Sequence, residues 1–331
     1  MKYYKISVLF VLATMLACAC GNKSSKPAAQ VVEYQKVSPD FDADSAYHFV
    51  QKQVDFGPRV PNTKEHIACA NYLAETLKRF GAEVIEQKAV LTAYNGTKLN
   101  AVNIIGSYSP EKKNRVLLFA HWDSRPYADA DADSKNHNTP IDGANDGASG
   151  VGVLLEVARQ IQIKSPEVGV DIIFFDAEDY GVPSFAEAIS SDNSWCLGSQ
   201  YWAENPHVKG YKAKFGILLD MVGAKDATFY RDAVSKRYAS NVIEKVWSTA
   251  RQLGYGKFFI SANGGYIMDD HVPVNQVTRI PSIDVLDYKI SDTHDGFFPH
   301  WHTINDTMDN IDKETLKAVG QTVLEVIYKE K

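Results

Sequence analysis

A single α/β domain, with a mixed, twisted central sheet and helices on both faces, is the architecture this sequence predicts. Three observations lead there. Strand-like and helical stretches alternate along the chain. Several strand-like runs are continuously apolar, as in strands covered on both faces. The 331 residues are 45% apolar and 23% charged, enough for one large core, and show neither an internal repeat nor an interdomain linker.

Residues 1–20 read as an export signal. Lys2 and Lys5 precede the apolar run Ile6 to Leu16, and the small residues Ala17-Cys18-Ala19-Cys20-Gly21 follow. The run is shorter than the roughly 20 residues that span a bilayer. With the polar stretch Asn22 to Lys26 behind it, the segment resembles a bacterial lipoprotein signal whose first mature residue is a lipidated Cys. Cys20, followed by Gly21 and a polar stretch, is preferred over Cys18; plain secretion is the alternative. The expectation is an exported, periplasmic or membrane-anchored protein that touches membrane only through its lipid. Residues 21–40, with Pro27 and Pro39, read as a polar tether, which leaves 41–331 as the folded domain.

Helical periodicity begins near Asp44, with Ala46, Phe49 and Val50 on one face, and resumes from Lys64 to Phe80. Between them Phe56-Gly57-Pro58-Arg59-Val60-Pro61 must break the helix. Strands are expected at Glu83–Val90, Ala101–Ser107, Arg115–Ala120, Val170–Asp176, Phe215–Met221 and Ser282–Leu286. Helices are expected at Ala148–Ile163, Leu197–Glu204, Ser235–Leu253 and Lys313–Lys329. Residues 124–145 form a polar loop longer than an ordinary connector, a kind that often carries function. An exported protein could pair Cys69 with Cys196, but sequence does not show that their Cα atoms come close enough, and two buried free thiols are the preferred reading.

The net charge of −6 becomes −8 without the signal, which holds two lysines and no acid. No long basic run tracks a phosphate backbone, so nucleic acid is excluded as a partner.

In open α/β sheets, ligands bind beyond the carboxyl ends of the strands. Chemistry-bearing residues recur at that position here. Strand 115–120 ends in His121-Trp122-Asp123, strand 170–176 in Asp176-Ala177-Glu178-Asp179, and strand 215–221 carries Asp220. Gly143-Ala144-Asn145-Asp146-Gly147 precedes a helix, and His302 lies shortly before the last one. A catalytic zinc takes three protein ligands of imidazole or carboxylate type and keeps one position open. Asp146, Asp179 and His302 supply such a set, and Glu178 is placed to carry protons beside it. Each residue also has a bland reading. Asp146 would be a helix N-cap, Glu178-Asp179 a solvated loop and His302 a surface histidine. Their joint placement favours the metal.

Four motifs carry a family resemblance: His121-Trp122-Asp123-Ser124, Gly143-Ala144-Asn145-Asp146-Gly147-Ala148-Ser149-Gly150, Phe174-Phe175-Asp176-Ala177-Glu178-Asp179 and Trp301-His302-Thr303. Together they resemble the zinc-dependent M28 group, over about residues 45 to 329, which implies a zinc-aminopeptidase-like, phosphorylase/hydrolase-like fold. That group holds aminopeptidases and the animal-type glutaminyl-peptide cyclotransferases. The aminopeptidase branch implies two zinc ions, with His121, bridging Asp146 and Asp220 around the second. The cyclotransferase branch implies one, on Asp146, Asp179 and His302.

Several stretches are similar to the cyclotransferases: Leu218 to Ala224 around Asp220, Asp269-Asp270-His271-Val272-Pro273, and Trp301 with Phe298-Pro299 as an aromatic pocket wall. Trp195 is read either as a lid on that pocket or as a core aromatic beside helix 197–204. Two features depart from the branch: Asp179 stands where the family places Glu, and Gly147 to Gly150 is closer to the aminopeptidase form. Long inserts at 183–194 and 287–297 obscure other pocket positions. The resemblance implies catalytic Glu178, Asp220 and Asp269, and peptide or protein N-termini bearing Gln as substrates. The reaction would close pyroglutamate and release ammonia. A dinuclear aminopeptidase is the alternative, and a non-catalytic binding lipoprotein a third reading.

Overall fold

A computed structural model describes residues 34–186, 193–291 and 294–331. The signal segment, with Cys18 and Cys20, lies outside the described residues. No helix among those described is long and apolar enough to cross a membrane.

The chain order is α1 (Ala43–Val54), α2 (Lys64–Arg79), β1 (Glu83–Thr92), β2 (Lys98–Tyr108), β3 (Arg115–His121), α3 (Ala148–Ile163), β4 (Gly169–Phe175), α4 (Leu197–Glu204), β5 (Gly216–Asp220), β6 (Phe229–Arg231), α5 (Ala233–Gln252), β7 (Phe259–Asn263), the short turn α6 (His271–Pro273), β8 (Ser282–Leu286), β9 (Tyr288–Ser291), β10 (His294–Phe297) and α7 (Lys313–Lys329). Helix starts follow capping chemistry. The side chains of Asp42, Thr63, Asp232 and Asp312 each accept a backbone N–H of the turn they open.

Six strands form the main sheet in the order β1-β2-β4-β3-β5-β8. β1, β2 and β4 pair antiparallel, whereas β4, β3, β5 and β8 run parallel. Every residue of these four parallel strands is buried, which explains their largely apolar character in sequence; the acids inside them, Asp171 and Asp284, are buried too. Because they are parallel, their carboxyl ends share one edge of the sheet.

The expected strands and helices all form, with ends shifted by a few residues. Two small sheets were not anticipated: β6 pairs β7, and β9 pairs β10 as a hairpin inside the 287–297 insert. The boundary of the tether also needs correction. Val37 and Ser38 donate backbone N–H bonds to Glu325 of α7, and Ser38 is buried. A carboxylate as enclosed as Glu325 requires donors, and the last residues of the supposed tether provide them. Cys69 and Cys196 are free and buried, as expected.

Helix α3 approaches the sheet closely enough to exclude a side chain at Gly150. A Cβ there would stand 2.1 Å from the Leu219 carbonyl oxygen and 3.0 Å from Ala120 Cβ. This contact seats the helix whose amino end follows Asp146. Gly150→Ala is therefore expected to lower stability by about 1–3 kcal/mol through overpacking against rigid backbone. Urea unfolding reads this directly, and an unchanged midpoint would contradict the packing.

Candidate metal and catalytic centre

The carboxyl edge of the parallel strands gathers residues that lie far apart in sequence. His121 ends β3, Glu178 and Asp179 follow β4, and Asp220 ends β5. Asp146 and His302 arrive from loops. His302 Nε2 lies 3.1 Å from Asp179 Oδ1 and 3.6 Å from Asp146 Oδ2. On the other side of Asp146, His121 Nε2 lies 3.0 Å from its Oδ1 and 3.1 Å from Asp220 Oδ1. Two potential cation sites thus share Asp146: Asp146, Asp179 and His302 form one, and His121, Asp146 and Asp220 the other, with ligand atoms within 4.8 Å of one another in each.

The bland readings do not survive this geometry. Asp146 does not cap α3; the N-cap is Gly147, and no side chain accepts there. Asp179 and His302 are 1% and 2% exposed, so neither is a surface group. Gly147 is compelled to be glycine at φ +95°, because a Cβ would meet the Asp123 carbonyl at 2.4 Å and the His121 ring at 3.1 Å. Left-handed backbone also occurs at Ala177, Cys196, Met221 and His302, all within or beside the site. Non-glycine residues in that conformation store strain, which characteristically collects where side chains must be aimed.

A layer of buried polar groups holds the candidate ligands. Asp123 accepts the backbone N–H groups of Glu178 (3.1 Å) and Asp179 (3.2 Å). Asp306 accepts those of Asn145 (2.8 Å) and Asp146 (2.9 Å). Arg125 forks onto Asp129 at 2.6 and 2.8 Å and donates to the Asp179 carbonyl at 2.9 Å. Asp129 in turn faces His302 Nδ1 at 3.4 Å, the outer partner that fixes an imidazole ligand's orientation. Of Asp123, Arg125, Asp129 and Asp306, the sequence drew attention only to Asp123, within the His121-Trp122-Asp123 strand end, and assigned a role to none of them. For Arg125 and Asp129 the available signal was the unusual length of the 124–145 loop that contains them.

Electrostatics reflect this crowding of acids. Burial raises Glu178 well above the ordinary glutamate value, and Asp269 and Asp179 add to the rise against the opposing pull of His121. Burial and neighbouring Asp220 push Asp269 up to about 7, and burial lifts Asp220 to about 6. Asp306 reaches about 8 through burial and the charge of Asp146. Burial opposes the charged form of His121, but Asp123, Asp146 and Asp220 outweigh it and raise that imidazole. Carboxylates this close cannot all ionise unless protons or a cation compensate.

A zinc ion fits the first cluster by its donor chemistry: two carboxylates and one imidazole, with room for a fourth ligand. Asp179 Oδ2 is buried with no hydrogen-bonding partner among the described residues, as a ligand oxygen awaiting a cation would be.

A cavity of about 270 Å³ opens onto this centre, lined by Glu178, Asp220, Asp269, Trp195, Phe297 and Trp301 among others. Trp195 belongs to the wall: its ring lies nearly parallel to His302 at 5.9 Å, with the Arg125 guanidinium 4.5 Å above it. Trp301 stacks on His302 at 3.6 Å. Phe298 requires a correction. It is 4% exposed and packs in the apolar cluster with Met221, Ala224, Ile267 and Leu286, while Phe297 lines the cavity instead. Neighbouring residues of an extended chain face opposite ways, so a shift of one position exchanges wall for core. A larger cavity of about 670 Å³ adjoins this one and shares Trp195, Met268 and Asp269 with it.

Known proteins resemble this chain over most of its length. A glutaminyl cyclase from Bacteroides thetaiotaomicron, solved with N-acetylhistamine, is 61% identical over 89% of this chain and all of its own, with a TM-score of 0.87. A Zn-dependent exopeptidase from Parabacteroides distasonis is 62% identical over the same shares, also at 0.87. Among curated relatives, the Bos taurus glutaminyl-peptide cyclotransferase is 24% identical over 302 residues, 82% of this chain and 78% of its own. The Bacillus subtilis aminopeptidase YwaD is 26% identical over 260 residues, 76% of this chain, which spans only half of that relative's length. The model of peptidase family M28 matches residues 103–327, and the chain belongs to that family.

Proposed function

We propose that this chain is a zinc-dependent glutaminyl-peptide cyclotransferase, converting the N-terminal Gln of peptides or proteins to pyroglutamate with release of ammonia. The observation that carries the reading is the small cavity in which Glu178, Asp220 and Asp269 converge beneath Trp195 and Trp301, beside the Asp146–Asp179–His302 cluster. Its likeness to glutaminyl cyclases at about three-fifths identity supports it.

Asp146, Asp179 and His302 would hold one zinc. When bound, the metal supplies Lewis-acid polarisation of the γ-carbonyl and stabilises charge developing on its oxygen. Glu178 takes a proton from the α-amine as its nitrogen attacks the side-chain amide carbon. As the C–N bond of that amide breaks, Glu178 returns the proton to the departing ammonia. A raised carboxyl pKa suits a group that must both accept and donate near neutrality. Asp220 and Asp269 accept hydrogen bonds from the amine and aim it. Trp195, Trp301 and Phe297 exclude water, whose attack on the amide is the competing reaction. In the same reading the chain is exported and lipidated at Cys20 or Cys18.

A second reading, a dinuclear aminopeptidase, draws on the His121–Asp146–Asp220 cluster and on the exopeptidase likeness. A Gln-initiated peptide separates the two. Cyclisation releases ammonia and leaves the chain length unchanged; a product shorter by one residue would mean hydrolysis.

Two substitutions test the assigned roles. Glu178→Gln should keep bound zinc while turnover falls at least about 100-fold, the lower end of what general acid–base catalysis contributes. Retained turnover would remove Glu178 from the proton path. His302→Ala should purify without the zinc that the unsubstituted chain is expected to carry, and unchanged metal content would refute its ligand role.

A further inference from the structure

A third group of ligand atoms lies beside the reaction centre and includes none of Asp146, Asp179 or His302. Cys196 precedes α4 in the left-handed conformation, φ +57°, and its Sγ donates to Glu178 Oε1 at 3.2 Å. Cys196, Glu178 and Asp269 each present one ligand atom, all within 4.8 Å of one another. Cys196 and Asp269 are each 4% exposed, yet both line the 670 Å³ cavity, so the group is enclosed but reachable. Asp269 Oδ2 is buried and meets no N–H or hydroxyl donor among the described residues; the Asp269 carboxyl instead faces that of Asp284. A carboxyl whose side-chain partner is another acid, and a thiol satisfied only by a weak S–H bond to Glu178, form an acid-rich and incompletely satisfied polar set. Two carboxylates and a sulfur suit a borderline or soft divalent ion, whereas Mg²⁺ and Ca²⁺ prefer all-oxygen sites.

We propose that Glu178, Cys196 and Asp269 form an inhibitory site for a thiophilic divalent cation, separate from the zinc cluster. Binding breaks the Cys196 S–H bond and displaces any proton carried by the Glu178 and Asp269 carboxyls, all released to solvent; a sulfur–metal bond forms, the carboxylates coordinate through lone pairs, and no oxidation occurs. A cation held there occupies the oxygens that Glu178 and Asp269 need for proton transfer and amine orientation, so it competes with substrate. That inhibitory consequence rests on the proposed cyclisation; binding itself does not.

The test titrates the zinc-loaded full chain with Cd²⁺. It follows the ultraviolet thiolate-to-cadmium charge-transfer band, the zinc that stays bound, and inhibition of Gln-peptide turnover. Wild type, Cys196→Ser, Cys196→Ala and Cys69→Ser are compared. Difference spectra between these proteins cancel any signal from Cys18 and Cys20, and bound zinc reports that each variant is folded. Wild type and Cys69→Ser should gain about one equivalent of cadmium–thiolate absorbance that both Cys196 variants lack, with zinc retained throughout. The inhibition constant, read against each variant's own uninhibited rate, should rise at least about tenfold when Cys196 is replaced. A band that persists in both Cys196 variants would overturn the site, as would zinc release in proportion to inhibition. If the chain does not cyclise Gln peptides, the band and its loss still decide the site, and the failure falls on the reaction alone.

Discussion

Asp146 stands between two histidines, with His121 on one of its oxygens and His302 on the other, and four more acids, Glu178, Asp179, Asp220 and Asp269, crowd the same cavity. So much negative charge in a dry setting is unfavourable unless something positive enters or protons stay on. Arg125 supplies one positive charge, but its guanidinium is spent largely on Asp129. The raised pKa values of Asp220 and Asp269 express what remains uncompensated. A divalent cation on Asp146, Asp179 and His302 would relieve that repulsion, and the rest of the site is arranged around this need.

The scaffold accepts strain to keep the acids in place. Ala177, Met221 and His302 adopt left-handed backbone, at a cost of roughly 1–3 kcal/mol for each such residue. Asp123 and Asp306, which touch no reacting atom in the proposed mechanism, clamp the loops that carry Glu178, Asp179 and Asp146. Arg59 adds a further clamp, donating to the carbonyls of Trp122 and Gly143 and so tying the end of β3 to the Asp146 turn. Rigid positioning suits a reaction in which an amine and an amide of one residue must meet while water is kept away. The aromatic rings stacked about His302 serve both demands.

Much of this was legible in the sequence, for identifiable reasons. β3, β4, β5 and β8 are buried on both faces, so their interiors are apolar but for Asp171 and Asp284, and polarity at the carboxyl ends of β3, β4 and β5 marks the ligand edge. The clustering of Asp146, Asp179 and His302 followed from that topology. What stayed hidden depends on tertiary burial. In sequence Asp129 and Asp306 look like any loop acid, and only the fold shows one forked by Arg125 and the other capped by two amides. Phe297 and Phe298 differ by one residue of register, which no composition signal resolves. The hairpin of β9 and β10 pairs over only four residues, too few for periodicity to announce it.

The most direct test is anomalous diffraction at the zinc edge from crystals of the purified chain. One strong peak within coordinating distance of Asp146, Asp179 and His302, with none between His121 and Asp220, is the expected result. No peak at the first position would remove the cation on which the electrostatics of the edge depend. Two peaks of equal strength would replace a mononuclear centre with a dinuclear one and return the chain to peptide hydrolysis.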